Sequence, residues 1–454
     1  MRNSSGVTRR ARPAFHASPS RVTVAGFAVA VVVGTLVLML PASSADGTAT
    51  DALTAAFTAV SALCVTGLII VDTATHWSIL GQAVIIGLIQ VGGFGVMTLA
   101  SVLARLLARR MGLRERITVA SMTRSDGMGS LRQTLLRIAG WTLLIEALTA
   151  LWLAMWFQLQ YDYSPTRALW HGVFHAVSAF NNAGFALYSL SLMDFASDGG
   201  VLLPICGAVV LGGLGFPVIV DLARTYRVPR KRALNTRLVL LGTAGLLGVG
   251  TLLLLLNEWR NPATLGPMSV GDKILNAFAQ SAFTRTAGFN SVDVAQLNEG
   301  SWFLMDILMI IGTGPAGTGG GLKITTVLVL VLVARSTCLN RTDVAAFGRR
   351  LPSAVQREAI AVVTLGAGVV VIATGVVLAL SPFDLGIVLY EVVSAFATVG
   401  LSTGITAALP PAAQLTLMAC MFLGRLGPIT LANSLARRQP TRQYEFPTER
   451  PIIG

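Results

Sequence analysis

Four short apolar segments recur along this chain, and each contains a glycine close to its end. They read "SALCVTGL" (61–68), "SAFNNAGF" (178–185), "SAFTRTAGF" (281–289) and "SAFATVGL" (394–401). The glycines are Gly67, Gly184, Gly288 and Gly400. A glycine lets backbone carbonyl oxygens turn toward a ligand without a clash at Cβ. Four such segments could together replace the water around a dehydrated cation, which is the chemistry that this pattern favours.

The composition indicates which elements position these segments. Of the 454 residues, 54% are hydrophobic and only 12% are charged, and the mean hydropathy is +0.70. Because a soluble protein is about one quarter charged, this chain is predicted to lie in a bilayer. A helix needs roughly 20 apolar residues to cross the bilayer. Runs of that length occur at 22–41, 79–104, 138–157, 201–223, 238–256, 302–334, 358–380 and 415–436.

A shorter apolar segment precedes each glycine, at 51–63, 166–180, 271–283 and 384–396. Segments of this length are typical of re-entrant helices. Asp, Thr or Ser stands at or just before the start of each, as a helix N-cap requires. A half-helix that ends inside the membrane points its negative dipole end inward, which favours a cation there. The third copy has one extra residue between serine and glycine, so it aligns from the glycine.

This pattern predicts an all-α polytopic membrane protein of four pseudo-symmetric repeats around one central pore. Each repeat would contain a span, a re-entrant pore helix, a glycine segment and a second span, which gives eight transmembrane helices and four pore helices. The predicted order is a disordered basic tail (1–21), repeat 1 (22–110), a loop (111–137), repeat 2 (138–224), a loop (225–237), repeat 3 (238–335), a loop (336–357), repeat 4 (358–437) and a C-terminal segment (438–454).

The formal charge of +13 is concentrated in alternate loops. Arg and Lys cluster at 105–137, 224–237 and 335–357, which the positive-inside rule places in the cytoplasm together with both termini. Topology rather than nucleic-acid binding therefore accounts for most of the charge. A cleaved signal peptide ending near Ser43 and Ala45 is the alternative for the N-terminus, but its apolar run is as long as a full span.

Three other patterns admit chemistry but have simpler explanations. Gly312, Gly314 and Gly317 spell the G-x-G-x-x-G of dinucleotide-binding loops, but they lie inside a membrane run rather than after a strand. His171 and His175 have the spacing of a metal-binding pair, yet no third ligand is evident, so packing or lining of a vestibule is favoured. The four cysteines have no CxxC spacing and indicate neither a disulfide framework nor a zinc site.

Acidic residues follow three of the glycine segments: they are Asp72, Asp194 and Asp293. Their field could concentrate cations at the outer mouth of a pore. They are equally explained as solvated loop residues, and the sequence leaves both explanations open.

Two basic residues lie within apolar runs, where a charge is expensive and usually faces a pore or a partner. Lys323 is explained either in this way or as an anchor whose amine reaches the cytoplasmic surface. Arg425 has apolar or neutral residues on both sides, so it needs a partner. The acidic candidates are Glu146, Asp306 and Glu391.

Seven segments resemble the membrane subunit of the Ktr branch of the Trk/Ktr/HKT potassium transporters. They are "ALCVTGL", "FNNAGF", "TRTAGF", "FATVGLSTG", "GTGPAGTGGGLKITT" (312–326), "FLGRLGPITL" (422–431) and "YEFPTERPIIG" (444–454). The resemblance implies four linked repeats around one pore, with a filter glycine in each, a feature associated with potassium preference. The ion-lining residues that it implies are Val65, Thr66, Gly67, Asn182, Ala183, Gly184, Thr286, Ala287, Gly288, Thr398, Val399 and Gly400.

The resemblance also implies an assembly in the bacterial cytoplasmic membrane. A homodimer of this chain would sit on a cytoplasmic ring of RCK regulatory subunits. A nucleotide, either ATP/ADP or NAD, would bind to the ring, and this chain would hold no cofactor of its own. The transported ion would be potassium, with sodium as an alternative. No nucleic acid partner is expected.

The sequence also leaves other functions open. The same fold could act as a sodium- or proton-coupled symporter. A solute permease normally breaks its spans near the midplane rather than inserting four matched half-helices. An intramembrane enzyme would need a nucleophile, base or metal set, and no such set is apparent in the sequence, so no catalysis is predicted.

The segment "GTGPAGTGGG" (312–321) is predicted to break the sixth span, because an interior Gly costs about 1 kcal/mol and Pro about 3 kcal/mol relative to Ala. The resemblance implies an intramembrane loop beneath the filter, which would act as a gate. A packing face of small residues is the alternative. The predicted gate residues are Gly312, Gly314, Pro315, Gly317, Gly319, Gly320, Gly321, Lys323 and Arg425.

Overall fold

The computed structural model describes residues 19–110, 131–341 and 343–427. These residues form helices α1 (Pro19–Leu38), α2 (Ala52–Leu63), α3 (Thr73–His76), α4 (Ile79–Arg110), α5 (Leu131–Tyr161), α6 (Pro165–Phe180), α7 (Gly199–Leu214), α8 (Phe216–Thr225), α9 (Leu234–Glu258), α10 (Val270–Phe283), α11 (Glu299–Ile310), α12 (Ile324–Cys338), α13 (Ser353–Leu380), α14 (Leu385–Ala397) and α15 (Pro411–Leu426). One short antiparallel hairpin pairs β1 (Ala345–Ala346) with β2 (Arg349–Arg350). Most of the predicted basic tail, most of the predicted loop 111–137, the end of predicted repeat 4 and the predicted C-terminal segment lie outside the described residues.

Single-turn 3-10 helices lie in the connections. They span Pro41–Ser43, Met193–Phe195, Pro229–Lys231, Val294–Gln296 and Thr406–Ala408.

The long helices present apolar side chains outward, as lipid-facing helices do. Val371 and Ile372 on α13 are each 70% exposed, and Leu256 on α9 is 66% exposed. By length and hydropathy, three described helices suffice to cross a membrane, at Leu135–Tyr161, Leu234–Glu258 and Ser353–Leu380, and the bent pair α7–α8 would make a fourth. Of the remaining predicted spans, 22–41 and 79–104 correspond to the continuous helices α1 and α4, of 20 and 32 residues, whereas 302–334 is interrupted.

Four short helices, α2, α6, α10 and α14, lie at the predicted re-entrant positions and are largely buried. Their N-caps are Asp51, Ser164, Ser269 and Asp384. Asp51 accepts a hydrogen bond from the Thr54 amide at 2.9 Å, and Ser269 accepts one from the Asp272 amide at 3.2 Å. These bonds satisfy amides that the first helical turn leaves free.

The fourth predicted span, 201–223, is not one straight helix. α7 ends at Leu214, and α8 leaves it at an angle of 95°. Gly215 occupies the bend with φ +87°, a conformation that glycine adopts without strain. A Cβ at this position would also overlap the carbonyl oxygen of Pro315. The fourth predicted span is therefore a bent pair of helices, and a distant part of the chain packs against the bend.

The sixth predicted span is interrupted. α11 ends at Ile310, and α12 begins at Ile324. Residues 311–323 form the glycine-rich loop between them, and Ile311 and Leu322 pair at its neck. The amides of Gly314 and Thr318 donate to the carbonyls of Gly213 and Gly212 at 2.8 and 3.2 Å. The loop therefore satisfies the last carbonyls of α7, which a straight fourth span would have used itself.

Candidate functional site

The four glycines that the sequence predicts to be equivalent meet in a closed ring. A Cβ atom on Gly67 would lie 3.1 Å from the Cα of Gly184, and one on Gly184 would lie 2.8 Å from the Cα of Gly288. A Cβ on Gly288 would lie 3.2 Å from the Cα of Gly400, and a Cβ on Gly400 would lie 3.0 Å from the Cα of Gly67. Only glycine permits this backbone approach. We call this arrangement the glycine ring.

The carbonyl that each glycine faces comes from the residue before the next glycine around the ring. These carbonyl oxygens belong to Thr66, Ala183, Ala287 and Val399. All twelve predicted filter residues thus lie in four segments that the structure brings together: 65–67, 182–184, 286–288 and 398–400, called the filter segments below. Such a convergence of carbonyl oxygens is the geometry that a cation needs in place of water.

The four filter segments share one backbone conformation. Positive φ occurs at Val65, Asn182, Thr286 and Thr398, with values of 56°, 59°, 63° and 51°. It recurs two residues later at each glycine, with values of 93°, 74°, 75° and 96°. Positive φ is unusual for β-branched residues such as Val65, and strain of this kind clusters at functional sites.

The serine that opens each repeated segment helps to hold the filter. The Ser61 hydroxyl accepts from the Gly67 amide at 3.1 Å, and the Ser394 hydroxyl accepts from the Gly400 amide at 3.0 Å. In the second repeat the Ser178 hydroxyl donates to the Phe185 carbonyl at 2.7 Å. Sequence reasoning missed this role, although the fixed spacing of serine and glycine was the signal for it.

The third repeat is held differently because of its extra residue. Ser281 donates to the Leu247 carbonyl at 3.1 Å rather than capping a filter glycine, and the Gly288 amide donates to the Phe283 carbonyl at 3.2 Å. Arg285 is 5% exposed, and its guanidinium donates to the carbonyls of Thr243 and Gly312 at 3.5 and 3.4 Å. Sequence reasoning had not singled out this arginine, which connects a filter segment to the neck of the glycine-rich loop.

A second set of glycines packs against the C-terminal ends of the short helices α2, α6 and α14. A Cβ on Gly92, Gly212 or Gly424 would overlap the carbonyl oxygen of Leu63, Phe180 or Phe396, respectively. The end of three pore helices therefore packs directly on a glycine of the span that follows. The recurring "GGFG" (92–95), "GGLG" (212–215) and "GRLG" (424–427) carried this signal in the sequence.

The glycine-rich loop lies directly against the filter segments. The Thr318 hydroxyl and the Asn182 side-chain amide are 2.8 Å apart. The Gly320 amide donates to the Thr398 hydroxyl at 3.1 Å, and a Cβ on Gly319 would overlap the Thr286 hydroxyl. Three consecutive loop residues thus contact the first residue of three of the four filter segments.

Two basic side chains hold the loop in this position. Arg425 donates to the Thr318 carbonyl and, at 2.9 Å, to the Gly92 carbonyl. Lys323 donates to the Gly319 carbonyl at 2.5 Å, so its amine turns back into the loop rather than toward the cytoplasmic surface.

Arg425 is paired with none of the three acidic candidates from the sequence. Glu146 accepts from Gln90 and Asn181, and Glu391 accepts from Ser402 and Thr406. The ion pair found in the described part of the chain joins Arg350 to Asp343 instead. The sequence had left the partner of Arg425 open, and in the structure backbone carbonyls accept from the guanidinium.

The two histidines are engaged in local hydrogen bonds. His171 bonds to the Tyr188 hydroxyl at 3.0 Å. His175 bonds to the His171 carbonyl at 2.7 Å and to the Leu187 amide at 3.3 Å, so both of its ring nitrogens are used. Among residues 19–110, 131–341 and 343–427, no group of three His, Cys, Asp or Glu side chains is placed to hold a metal ion.

The outer loop acids differ in their surroundings. Asp72 and Asp293 cap short helical turns through the amides of Ala74 and Ala295, both at 2.9 Å. Asp72 and Asp46 also line one cavity. Hydrogen bonds from the side chains of Ser44 and Thr48 hold the pKa of Asp46 below its usual value, which keeps this carboxylate charged.

Comparison with known proteins gives concordant matches. Residues 6–445 match the TrkH family, described as "Cation transport protein". The chain is 35% identical over 436 residues to "Ktr system potassium uptake protein B" of Vibrio alginolyticus, covering 96% of this chain and 94% of that protein. It is 33% identical over 443 residues to a "Potassium/sodium uptake protein" of Enterococcus hirae, covering 96% of this chain and 97% of that protein.

The fold also matches a solved structure, the potassium transporter TrkH from Vibrio parahaemolyticus. The TM-score is 0.73, with 19% sequence identity and coverage of 94% of this chain and 87% of that one. The match confirms the predicted all-α polytopic membrane fold. On the family match and on the identity with full-length relatives, this chain belongs to the TrkH/Ktr family of cation transport proteins.

Proposed function

We propose that this chain is the ion-translocating subunit of a potassium uptake system. The closed glycine ring is the observation that carries the proposal. Its inward carbonyls offer oxygen ligands and no acidic side chain, which suits a dehydrated monovalent cation. The names of the relatives, one a potassium uptake protein and the other a potassium/sodium uptake protein, support a monovalent cation and include potassium.

The pore helices add to the attraction of a cation. α2, α6, α10 and α14 each end within a few residues of a filter segment. The C-terminal end of a helix carries partial negative charge, so four such ends favour a cation at the ring. The twelve filter residues named from the sequence are the ones that we assign to ion coordination.

The glycine-rich loop is the proposed gate. Residues 318–320 contact three filter segments, so a cation leaving the ring toward the cytoplasm meets them first. Arg425 and Lys323 hold the loop through its carbonyls and add positive charge to this exit. Passage requires the loop to move, and six of its thirteen residues are glycines, which change conformation at low cost.

Uptake into proteoliposomes tests the function. Purified protein is expected to take up labelled potassium or rubidium, with sodium measured in parallel. A potassium uptake that depends on an opposed sodium or proton gradient would identify a coupled symporter of the same fold. Uptake of an organic solute without cation flux would overturn the proposal.

We further propose that the basic cytoplasmic loops bind a regulatory RCK ring carrying ATP/ADP or NAD, and that the chain works as a homodimer. Neutralising Arg109, Arg110, Arg114 and Arg116 together is expected to weaken co-purification with the ring by about tenfold or more, since each exposed ion pair contributes up to about 1 kcal/mol. These side chains lie outside the part of the chain described in atomic detail.

The control for this prediction is Arg260→Gln, an exposed arginine just beyond the outer end of α9. Membrane insertion of both variants is expected to stay normal, because the other basic loops retain the topological bias. If the four-arginine variant still co-purifies with the ring at moderate salt, docking does not involve this loop.

A further inference from the structure

A buried carboxyl group lies behind the second filter segment. Glu146 on α5 is 5% exposed and accepts hydrogen bonds through both oxygens. Oε1 accepts from the Asn181 amide at 2.9 Å, and Oε2 accepts from the Gln90 amide at 3.1 Å. The cluster Gln90–Glu146–Asn181 joins the second span of repeat 1, the first span of repeat 2 and the second pore helix.

Burying a carboxyl group in this place costs free energy, so its presence calls for an explanation. An ionised side chain at the centre of a bilayer costs about 2.5 to 3.5 kcal/mol even on lenient scales. Within the described residues no cation pairs with Glu146, and only neutral amides approach it. A leucine would fill the same volume without that cost, so packing alone does not explain the carboxyl group.

The hydrogen bonds converge on the residue next to the filter. The side-chain nitrogen of Asn181 lies 2.9 Å from an oxygen of Glu146, an oxygen of Gln90 and the Val177 carbonyl, and its two hydrogens are shared among these three acceptors. On its other side, a Cβ on Gly93 would overlap the Asn181 side-chain oxygen. Asn181 is thereby fixed in position and orientation, and the backbone that follows it is the second filter segment.

The other repeats hold this position by other means. Asn181 stands three places before its ring glycine, and the equivalent residues in repeats 1, 3 and 4 are Cys64, Arg285 and Ala397. Arg285 binds two backbone carbonyls, and the Gly67 and Gly400 amides of repeats 1 and 4 have serine caps. Ser178 donates elsewhere, so the second segment lacks the serine cap on its glycine. The acidic cluster supplies an anchor where that cap is missing.

We propose that Glu146 is a positioning residue for ion selectivity: with Gln90 it fixes Asn181, and through it the carbonyl ligands of Asn182 and Ala183 in the ring. The proposal rests on the proposed function of the ring as a selectivity filter. Glu146 touches no ion. It acts by preventing the second filter segment from relaxing to a width that suits sodium.

The test is the ratio of rubidium to sodium uptake in proteoliposomes, measured for the full-length protein. Glu146→Leu is expected to lower this ratio about tenfold, the effect of losing one hydrogen bond to a charged group. Glu146→Gln keeps an acceptor for Asn181 and is expected to stay within about threefold of the unaltered protein. Glu358→Leu removes an exposed carboxyl from α13 and serves as the matched control.

Gly184→Ser serves as the reference for the filter itself. If Gly184→Ser changes the ratio and Glu146→Leu does not, the positioning role is overturned while the filter stands. If neither changes the ratio, the filter assignment and this proposal fail together. Should Glu146→Leu fail to insert, Gln90→Leu decides in its place, because Gln90 is only half-buried and its loss removes both a donor to Glu146 and an acceptor of Asn181.

Discussion

Deletion of residues 314–319 is expected to raise cation flux by about tenfold or more and to weaken any dependence on the nucleotide state of the proposed regulatory ring. The deletion removes Thr318 and Gly319, two of the three loop residues that contact the filter segments. It leaves all four filter segments intact. A barrier lowered by about 1.4 kcal/mol is enough for a tenfold change in rate.

The neck of the loop, which the deletion leaves in place, is expected to preserve the fold. Ile311 and Leu322 already pair at the neck of the loop, and the Gly312 amide donates to the Leu322 carbonyl at 2.8 Å. A Cβ on Gly312 would lie 2.5 Å from the Gly320 carbonyl oxygen, so the two strands of the neck are in contact. The deletion joins Thr313 directly to Gly320, and these neck contacts, which involve none of the deleted residues, are expected to keep α11 and α12 in place.

Arg425→Ala tests the same gate without shortening the chain. Alanine removes the donor that joins Thr318 of the loop to Gly92 of α4, and flux is expected to rise. Arg425→Lys keeps the charge but can bond fewer carbonyls at once, so an intermediate flux is expected. Arg260→Ala, at an exposed outer position, is the control.

Flux is measured as rubidium uptake per inserted protein, with size-exclusion profiles to check folding. A fall in flux for both the deletion and Arg425→Ala, with normal insertion, would show that the loop is a packing element. The glycines would then serve close helix contact, the alternative that the sequence left open.

The sequence predicted those features that depend on local patterns. The first and fourth pore helices, predicted at 51–63 and 384–396, form at Ala52–Leu63 and Leu385–Ala397. An N-cap residue, the length of the apolar segment and a glycine after it determine such a helix, and all three lie within about twenty residues of sequence. The membrane class followed equally well from composition.

Features that depend on distant contacts were not predictable. The bend at Gly215 packs against the loop at Pro315, and the residues around 215 do not indicate that these two parts of the chain meet. The partners of Arg425 are backbone carbonyls at Gly92 and Thr318, and a carbonyl has no sequence signature. A buried charge was recognisable as needing a partner, but its identity required the fold.

Substitution of the ring glycines by serine is expected to lower potassium preference in an order that the structure fixes. Every ring glycine has positive φ, and a side chain in that conformation costs about 1 to 3 kcal/mol. A Cβ at Gly67, Gly288 or Gly400 would in addition overlap a carbonyl oxygen of the neighbouring segment. At Gly184 the nearest carbonyl oxygen, that of Ala287, would be 2.9 Å away.

Gly184→Ser should therefore be the mildest change, with a loss of about tenfold in the ratio of rubidium to sodium uptake and a fold that survives. Gly67→Ser should lose more, because the added atoms displace a carbonyl that we assign as an ion ligand. Gly207→Ser is the matched control, since this glycine lies on α7 with open space where its Cβ would stand. Equal ratios for Gly184→Ser, Gly67→Ser and the control would mean that ions do not pass through the ring, whereas a graded loss in the stated order would tie selectivity to the carbonyls that the glycines allow to converge.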